Sequence, residues 1–202
     1  IDISCELAVV VVRGPEGDTT TYPVTETVQV EGICRETITP ARVTDDVADT
    51  AAEVAVRAVE VVGAVGLCAV ELFVDRDGAV TVNEVATRPH NSAHWSIEGA
   101  ECSQFENHLR AVAGLPLGST AMTTPYVVSV NVLGHADGRD PLDHLPSALG
   151  VEGAHVHLYG KGPRPGRKLG HVTVCADDLD DARMRARAAA AHLGDPMPEV
   201  AR

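Results

Sequence analysis

No apolar run in the chain approaches the roughly 18 residues that a membrane-spanning helix needs, and the N-terminal residues lack the basic and apolar regions of a secretory signal. Both absences argue against a membrane or exported protein, and a cytoplasmic location is expected. There is no CxxC pair: Cys5, Cys34, Cys68, Cys102 and Cys175 are an odd number spread over separate segments. That excludes a disulfide framework and a cysteine zinc site, so reduced, packed thiols are predicted. The nine histidines are equally scattered. Positive charge is scarce, with 16 basic against 29 acidic residues and a formal net charge of −13. The long-range field therefore repels polyanions, and neither nucleic acid nor an anionic membrane is an expected partner. No internal repeat or low-complexity tract is present.

What is present is an ordinary globular composition. Of 202 residues, 45% are hydrophobic and 22% charged, too apolar and too mixed in sign for a disordered chain. Length permits one large domain or two small ones. The chain opens at Ile1 without methionine and runs almost at once into the strand-like ELAVVVVRG, so we expect a fragment whose beginning is missing.

Residues 7–12 read as a strand, PEGD at 15–18 as a turn, and 19–22 as the returning strand of a hairpin. Alternation over 24–30 predicts a further strand with a turn at Gly32. From Thr44, a candidate N-cap followed by Asp45 and Asp46, the recurrence of Val47, Ala51, Val54, Ala58 and Val62 predicts a helix closed by Gly63 and Gly66. Residues 67–74 and 79–85 form two strands joined by DRDG. Residues 103–113 predict an amphipathic helix with Phe105, Leu109 and Val112 on one side, and 118–125 a connection holding a domain boundary. Beyond it follow a strand over 126–133, a short helix near 141–149, a strand over 154–159, the loop GKGPRPGRKLG, a strand over 171–176 and a helix over 178–193. The fold class is α+β.

The most informative stretch is VNEVATRPHNSAHW, residues 82–95, which places two carboxamides, a carboxylate, an arginine and two histidines at the exit of a strand. That is where an α/β chain builds a site. Glu71 and Glu84 lie on the two strands of the predicted hairpin, with Asn83 beside them. Two hard oxygen ligands on adjacent strands suit Mg²⁺, which completes its octahedron with water and phosphate oxygens. The alternative is a pair of exposed strand glutamates. The flanking apolar segments AVELFV and TVNEVA predict burial of these strands instead, where an unpartnered carboxylate is costly. Arg88 offers a planar donor set for an acyl phosphate or simply neutralises Glu84, and His90 can donate a hydrogen bond or move a proton. Asn91 continues the loop, while His94 and Trp95 read as loop-packing residues. Lys161, Arg164, Arg167 and Lys168 then concentrate positive charge in a glycine- and proline-rich loop of an acidic chain. The readings are a phosphate grip or a solvated basic turn; the local reversal of sign favours the grip.

NEVATRPHNSAHW, EGAECSQFENHLRAVAGLPLG and RPGRKLGH, with IDISCELAVVVVRG, TYPVTETVQVEGICRETITPAR and AVELFV in the same order, resemble the 5-(carboxyamino)imidazole ribonucleotide synthases, ATP-grasp enzymes of purine biosynthesis. The resemblance covers nearly the whole chain. It implies the C-terminal part of an ATP-grasp domain, an antiparallel sheet with flanking helices, at 1–118, and a small α/β C-terminal domain at 119–202. The implied reaction uses ATP to phosphorylate bicarbonate to carboxyphosphate, whose carboxyl group passes to the amine of 5-aminoimidazole ribonucleotide.

On matching positions Glu71 and Glu84 would bind Mg²⁺, with Asn83 and Glu84 toward ATP. Arg88, His90 and Lys161 would be catalytic, and Asn91, Arg164, Arg167 and Lys168 would bind substrate. A homodimer is implied for the complete enzyme. Thr87 stands where the family usually has proline, Ala93 where it has glycine, and Cys5 where it has a basic residue. The ATP-clamping half expected upstream is not in this sequence, so the chain alone is expected to be inactive. Competing readings are another ATP-grasp ligase, such as the formate-dependent glycinamide ribonucleotide transformylase, which NSAHW disfavours, or a noncatalytic phosphate-binding module.

Overall fold

The structure is a computed structural model that describes residues 2–198; Ile1 lies outside the described residues. Its contacts divide the chain into two compact units: one runs to Val28 and resumes over Thr37–Thr123, and the other combines Gln29–Glu36 with the chain from Thr124 onward.

In the first unit β1 (Ile3–Arg13) turns into β2 (Thr19–Thr21), and β3 (Thr25–Val30) pairs with β1. β4 (Ile33–Thr39) follows, then α1 (Asp45–Val62), β5 (Gly66–Asp75) and β6 (Val80–Ala86). The order is β6-β5-β1-β3, with β2 on β1, and each of these pairs is antiparallel. Leu7, Val9 and Val11 face Cys68, Val70, Leu72 and Val74 in one apolar cluster that α1 covers with Ala51, Ala55 and Val59. The intervening Ala8, Val10 and Val12 are also buried, which explains why this strand reads as a continuous apolar run rather than an alternation. Each fully buried valine or leucine contributes about 1.5–3 kcal/mol.

Asp45 and Asp46 occupy the first turn of α1, and Thr44 takes the N-cap position in extended conformation, although its side chain makes no cap hydrogen bond. Gly63 ends the helix at φ 68°, whereas Gly66, expected to help close it, opens β5. Val62 lies outside the buried stripe because the covered face centres on Ala51, Ala55 and Val59. After β6 come the short α2 (Ser96–Gly99) and α3 (Gln104–Val112).

Helix α3 reverses the expected amphipathicity. Phe105, Leu109 and Val112 are exposed, and the side turned inward carries Gln104, Asn107 and Ala111. The polar residues go inside because each finds partners there: Asn107 Nδ2 donates to Tyr22 Oη at 2.9 Å, and its Oδ1 accepts from the Gly118 amide at 2.7 Å.

In the second unit β7 (Tyr126–Leu133), α4 (Leu145–Leu149), β8 (Ala154–Leu158), β9 (Lys168–Ala176) and α5 (Leu179–Leu193) give the order β4-β7-β9-β8, with antiparallel β7–β9 and β9–β8 ladders. The sequence pattern assigned no strand to 33–39, because Arg35 and Glu36 interrupt its apolar character. Both are nevertheless buried. Glu36, fully buried, accepts from Arg183 Nη2 at 2.8 Å and from Arg187 Nη2 at 2.7 Å on α5, while Arg35 donates to the carbonyls of Asp195 and Pro196. Burial alone would raise the Glu36 carboxyl; the hydrogen bonds from Arg187 and Arg183 outweigh it and hold the group below the ordinary carboxylate value. The chain is thus an antiparallel sheet architecture with flanking helices. All five cysteines are free thiols, and among the described residues no helix is long and apolar enough to cross a membrane.

Candidate metal and anion site

The β5–β6 ladder sets Glu71 directly opposite Glu84, so both carboxylates leave the same face of the sheet. The next pair is Leu72 with Val82, which leaves Asn83 as the extra residue of a bulge beside Glu84. Such a bulge re-aims the side chains around it. The expected burial of both strands holds for β5 but not for β6, which ends the strand order and exposes Val82, Asn83 and Glu84. Beyond β6 the chain bends through Thr87 and Arg88, and His90 returns to the sheet with Nε2 3.6 Å from Glu71 Oε1. One ligand atom from each of Glu71, Glu84 and His90 lies within 4.8 Å of the other two. Two carboxylate charges within 4.8 Å of each other repel by at least about 3.5 kcal/mol at an effective dielectric of ~20, a cost that a divalent cation removes. The hard oxygen pair fits such an ion. Arg88 is exposed and donates to the Pro89 carbonyl at 3.2 Å, making no ion pair with Glu84.

The loop that returns His90 is rigid for identifiable reasons. Trp95 is fully buried, its indole N–H donates to Thr25 Oγ1 at 3.1 Å, and its ring meets Tyr22 edge-on. Tyr22 donates to the Cys102 carbonyl at 2.7 Å, and burial pushes its phenol well above the ordinary range, so it stays a donor. His94 stacks on Phe105 with ring centroids 5.7 Å apart. His94 and Trp95 therefore pack the loop, as the sequence suggested. Asn91 begins the 3₁₀ turn Asn91–Ala93 and is half-buried.

The basic residues occupy a turn of the second unit. Gly160 and Gly166 adopt φ of 65° and 69°, a conformation that costs glycine little. The Gly134 amide donates to the Arg167 carbonyl at 2.8 Å, and the Gly166 amide to the Gly134 carbonyl at 2.9 Å. A Cβ at Gly134 would stand 2.0 Å from the Arg164 carbonyl oxygen, so this approach requires glycine. Arg164 is exposed, Arg167 donates to the Gly162 carbonyl at 3.1 Å, and Lys168 opens β9 opposite Leu133. Lys161 lies 5.2 Å from the centroid of the Tyr159 ring and lines a cavity of about 370 Å³. Tyr159, whose phenol burial pushes up to about 12, hydrogen-bonds His171 Nδ1 at 2.8 Å. Sequence reasoning missed Gly134, Tyr159 and His171, since their link to the turn is made by folding and not by spacing.

The first unit thus carries a paired-carboxylate hairpin, and the second a glycine-held basic turn. Residues 1–105 match the ATP-grasp domain model, and residues 127–185 match the phosphoribosylaminoimidazole carboxylase C-terminal domain model. The chain belongs to the ATP-grasp family. Within that family it is similar to N5-carboxyaminoimidazole ribonucleotide synthases. It is 45% identical over 196 residues to the one from Mycobacterium bovis, covering 94% of this chain and 45% of that protein. The solved synthetase from Thermus thermophilus superposes with a TM-score of 0.86 at 41% identity, over 99% of this chain and 53% of that one. The synthase from Aspergillus clavatus, solved with ADP and 5-aminoimidazole ribonucleotide, gives 0.87 at 36% identity, over 95% and 51%. The chain thus spans about half the length of the relatives it matches.

Proposed function

We propose that the protein containing this chain carboxylates 5-aminoimidazole ribonucleotide to its N5-carboxyamino product in purine biosynthesis, consuming ATP and bicarbonate through carboxyphosphate. The observation that carries this reading is the register of Glu71 against Glu84 with His90 converging on them, in a chain whose relatives bear the synthase name. Residues 1–118 would supply the C-terminal portion of the ATP-grasp domain and 119–202 the small C-terminal domain. Glu71 and Glu84 would hold Mg²⁺, with Asn83 beside them; when bound, the ion neutralises charge on the ATP phosphates.

The remaining roles are those that the family resemblance implies, and side-chain chemistry agrees with them. Arg88, a planar donor free of an acidic partner, suits the oxygens of carboxyphosphate. His90 offers its Nε2 proton to the same anion. Lys161 is assigned to the carboxylation step, and Asn91, Arg164, Arg167 and Lys168 to the ribonucleotide and its phosphate. A cytoplasmic homodimer completes the proposal.

The test is bicarbonate-dependent ATP hydrolysis by the full-length protein. Glu84→Gln removes one metal ligand and its charge, and turnover should fall at least about 100-fold. Near-normal turnover in that variant would contradict the assignment.

A further inference from the structure

Gln104 is fully buried at the start of α3, and every hydrogen bond of its carboxamide goes to the histidine loop. Its Oε1 accepts from the His90 amide at 2.8 Å, and its Nε2 donates to the His90 carbonyl at 2.9 Å. The second Nε2 proton reaches His94 Nδ1 at 2.8 Å. A side-chain amide has one acceptor atom and two donor protons, so this arrangement fixes its orientation; a flip would set donor against donor and acceptor against acceptor at His90. The backbone amide of Gln104 is itself held by Ser96 Oγ at 2.9 Å. Gln104 thus accepts from and donates to the backbone of a single residue, as a β-ladder partner does.

The ring of His90 is set in turn. A backbone N–H can only donate, and the Ser92 amide points at His90 Nδ1 at 3.4 Å while Ser92 Oγ lies 2.9 Å away. Nδ1 is therefore the acceptor, and the neutral imidazole carries its proton on Nε2, the atom 3.6 Å from Glu71. That makes His90 a donor at the acidic cluster rather than a third metal ligand, even though its distance alone admits either role.

We infer that Gln104 is a positioning residue whose buried carboxamide holds the His90 backbone, so that the imidazole presents Nε2–H beside Glu71. The inference rests on the function proposed above for its catalytic consequence, but not for its structural one. Misplacing a reacting group by about 1 Å costs on the order of 100-fold in rate, so loosening one anchor of His90 is expected to lower kcat.

The test uses full-length protein with ¹⁵N-labelled histidine, with Gln104→Met, close in volume but without donors or acceptors, as the variant. Imidazole nitrogen resonances report the tautomer. The wild type should show His90 with a protonated Nε2. In Gln104→Met its nitrogen shifts should move toward the average of the two tautomers, while those of His155 and His157 stay put. In the same variant kcat for bicarbonate-dependent ATP hydrolysis should fall about 10- to 100-fold, with the KM for ATP within about twofold.

Unchanged His90 resonances accompanied only by a lower melting temperature would overturn the inference, since that is what a merely structural glutamine gives. Should Gln104→Met not fold, Gln104→Glu, which keeps an acceptor and loses the amide donors, decides the same question by the same resonances. If the wild type shows no ATP hydrolysis, the proposed function fails, and the resonances still decide the role of Gln104.

Discussion

Glu71 and Glu84 owe their proximity to a ladder register, whereas Arg164 and Arg167 owe theirs to a turn tied through backbone hydrogen bonds to Gly134. A register fixes two Cβ atoms at about 5 Å before any side-chain bond forms, which suits an ion that demands near-ideal geometry. A turn fixes only the backbone. Its long basic side chains remain adjustable, as a grip on a phosphate requires. The acidic pair is accordingly short-armed, beside a loop packed on the buried Trp95, and the basic set is long-armed, with Lys161 and Arg164 exposed and Arg167 and Lys168 half-buried.

The largest effect is expected from Trp95→Ala, which empties the packed support behind the histidine loop; a stability loss of about 3–5 kcal/mol should appear in urea unfolding, and a loss below about 1 kcal/mol would show that the loop is held by other means. Arg167→Ala should leave the turn's backbone intact. Ribonucleotide affinity should then fall about tenfold, or ~1.4 kcal/mol, with ATP affinity unchanged. Equal losses for both ligands, measured by calorimetry, would erase the distinction between the two regions.

The smallest effect concerns acid. Because Glu36 titrates below its ordinary value of 4.5, its contribution to stability is complete above that pH and is lost as pH falls through its lower, folded value. The urea midpoint should thus decline more steeply below pH 4.5 in the wild type than in Glu36→Gln. Parallel curves would show that the Glu36 carboxylate does not contribute to acid stability.

The ladder side was largely legible in the sequence. DRDG announced the β5–β6 turn, where Gly78 adopts φ 83° and Asp75 Oδ1 accepts from the amides of Asp77 and Ala79, and a tight hairpin leaves few registers open. The bulge at Asn83 was not legible, since no residue type marks it. β4 was hidden because its charged centre is paired with arginines far along the chain, and periodicity cannot see a partner. Helix α3 misled for the opposite reason: its apolar stripe is real, but the inward face is chosen by Gln104 and Asn107, whose hydrogen bonds exist only after folding. Gln104 shares that face at helical spacing with Asn107 and Ala111, a weak signal that only the structure makes meaningful.

If Glu71 and Glu84 form one cation site, losing either carboxylate weakens the hold on the ion. Mn²⁺, a paramagnetic stand-in for Mg²⁺, can be titrated with ADP into the full-length protein and into Glu84→Gln while free ion is read by electron paramagnetic resonance. Binding at least about tenfold weaker in the variant, or ~1.4 kcal/mol, is the predicted result. Indistinguishable affinities would contradict the claim.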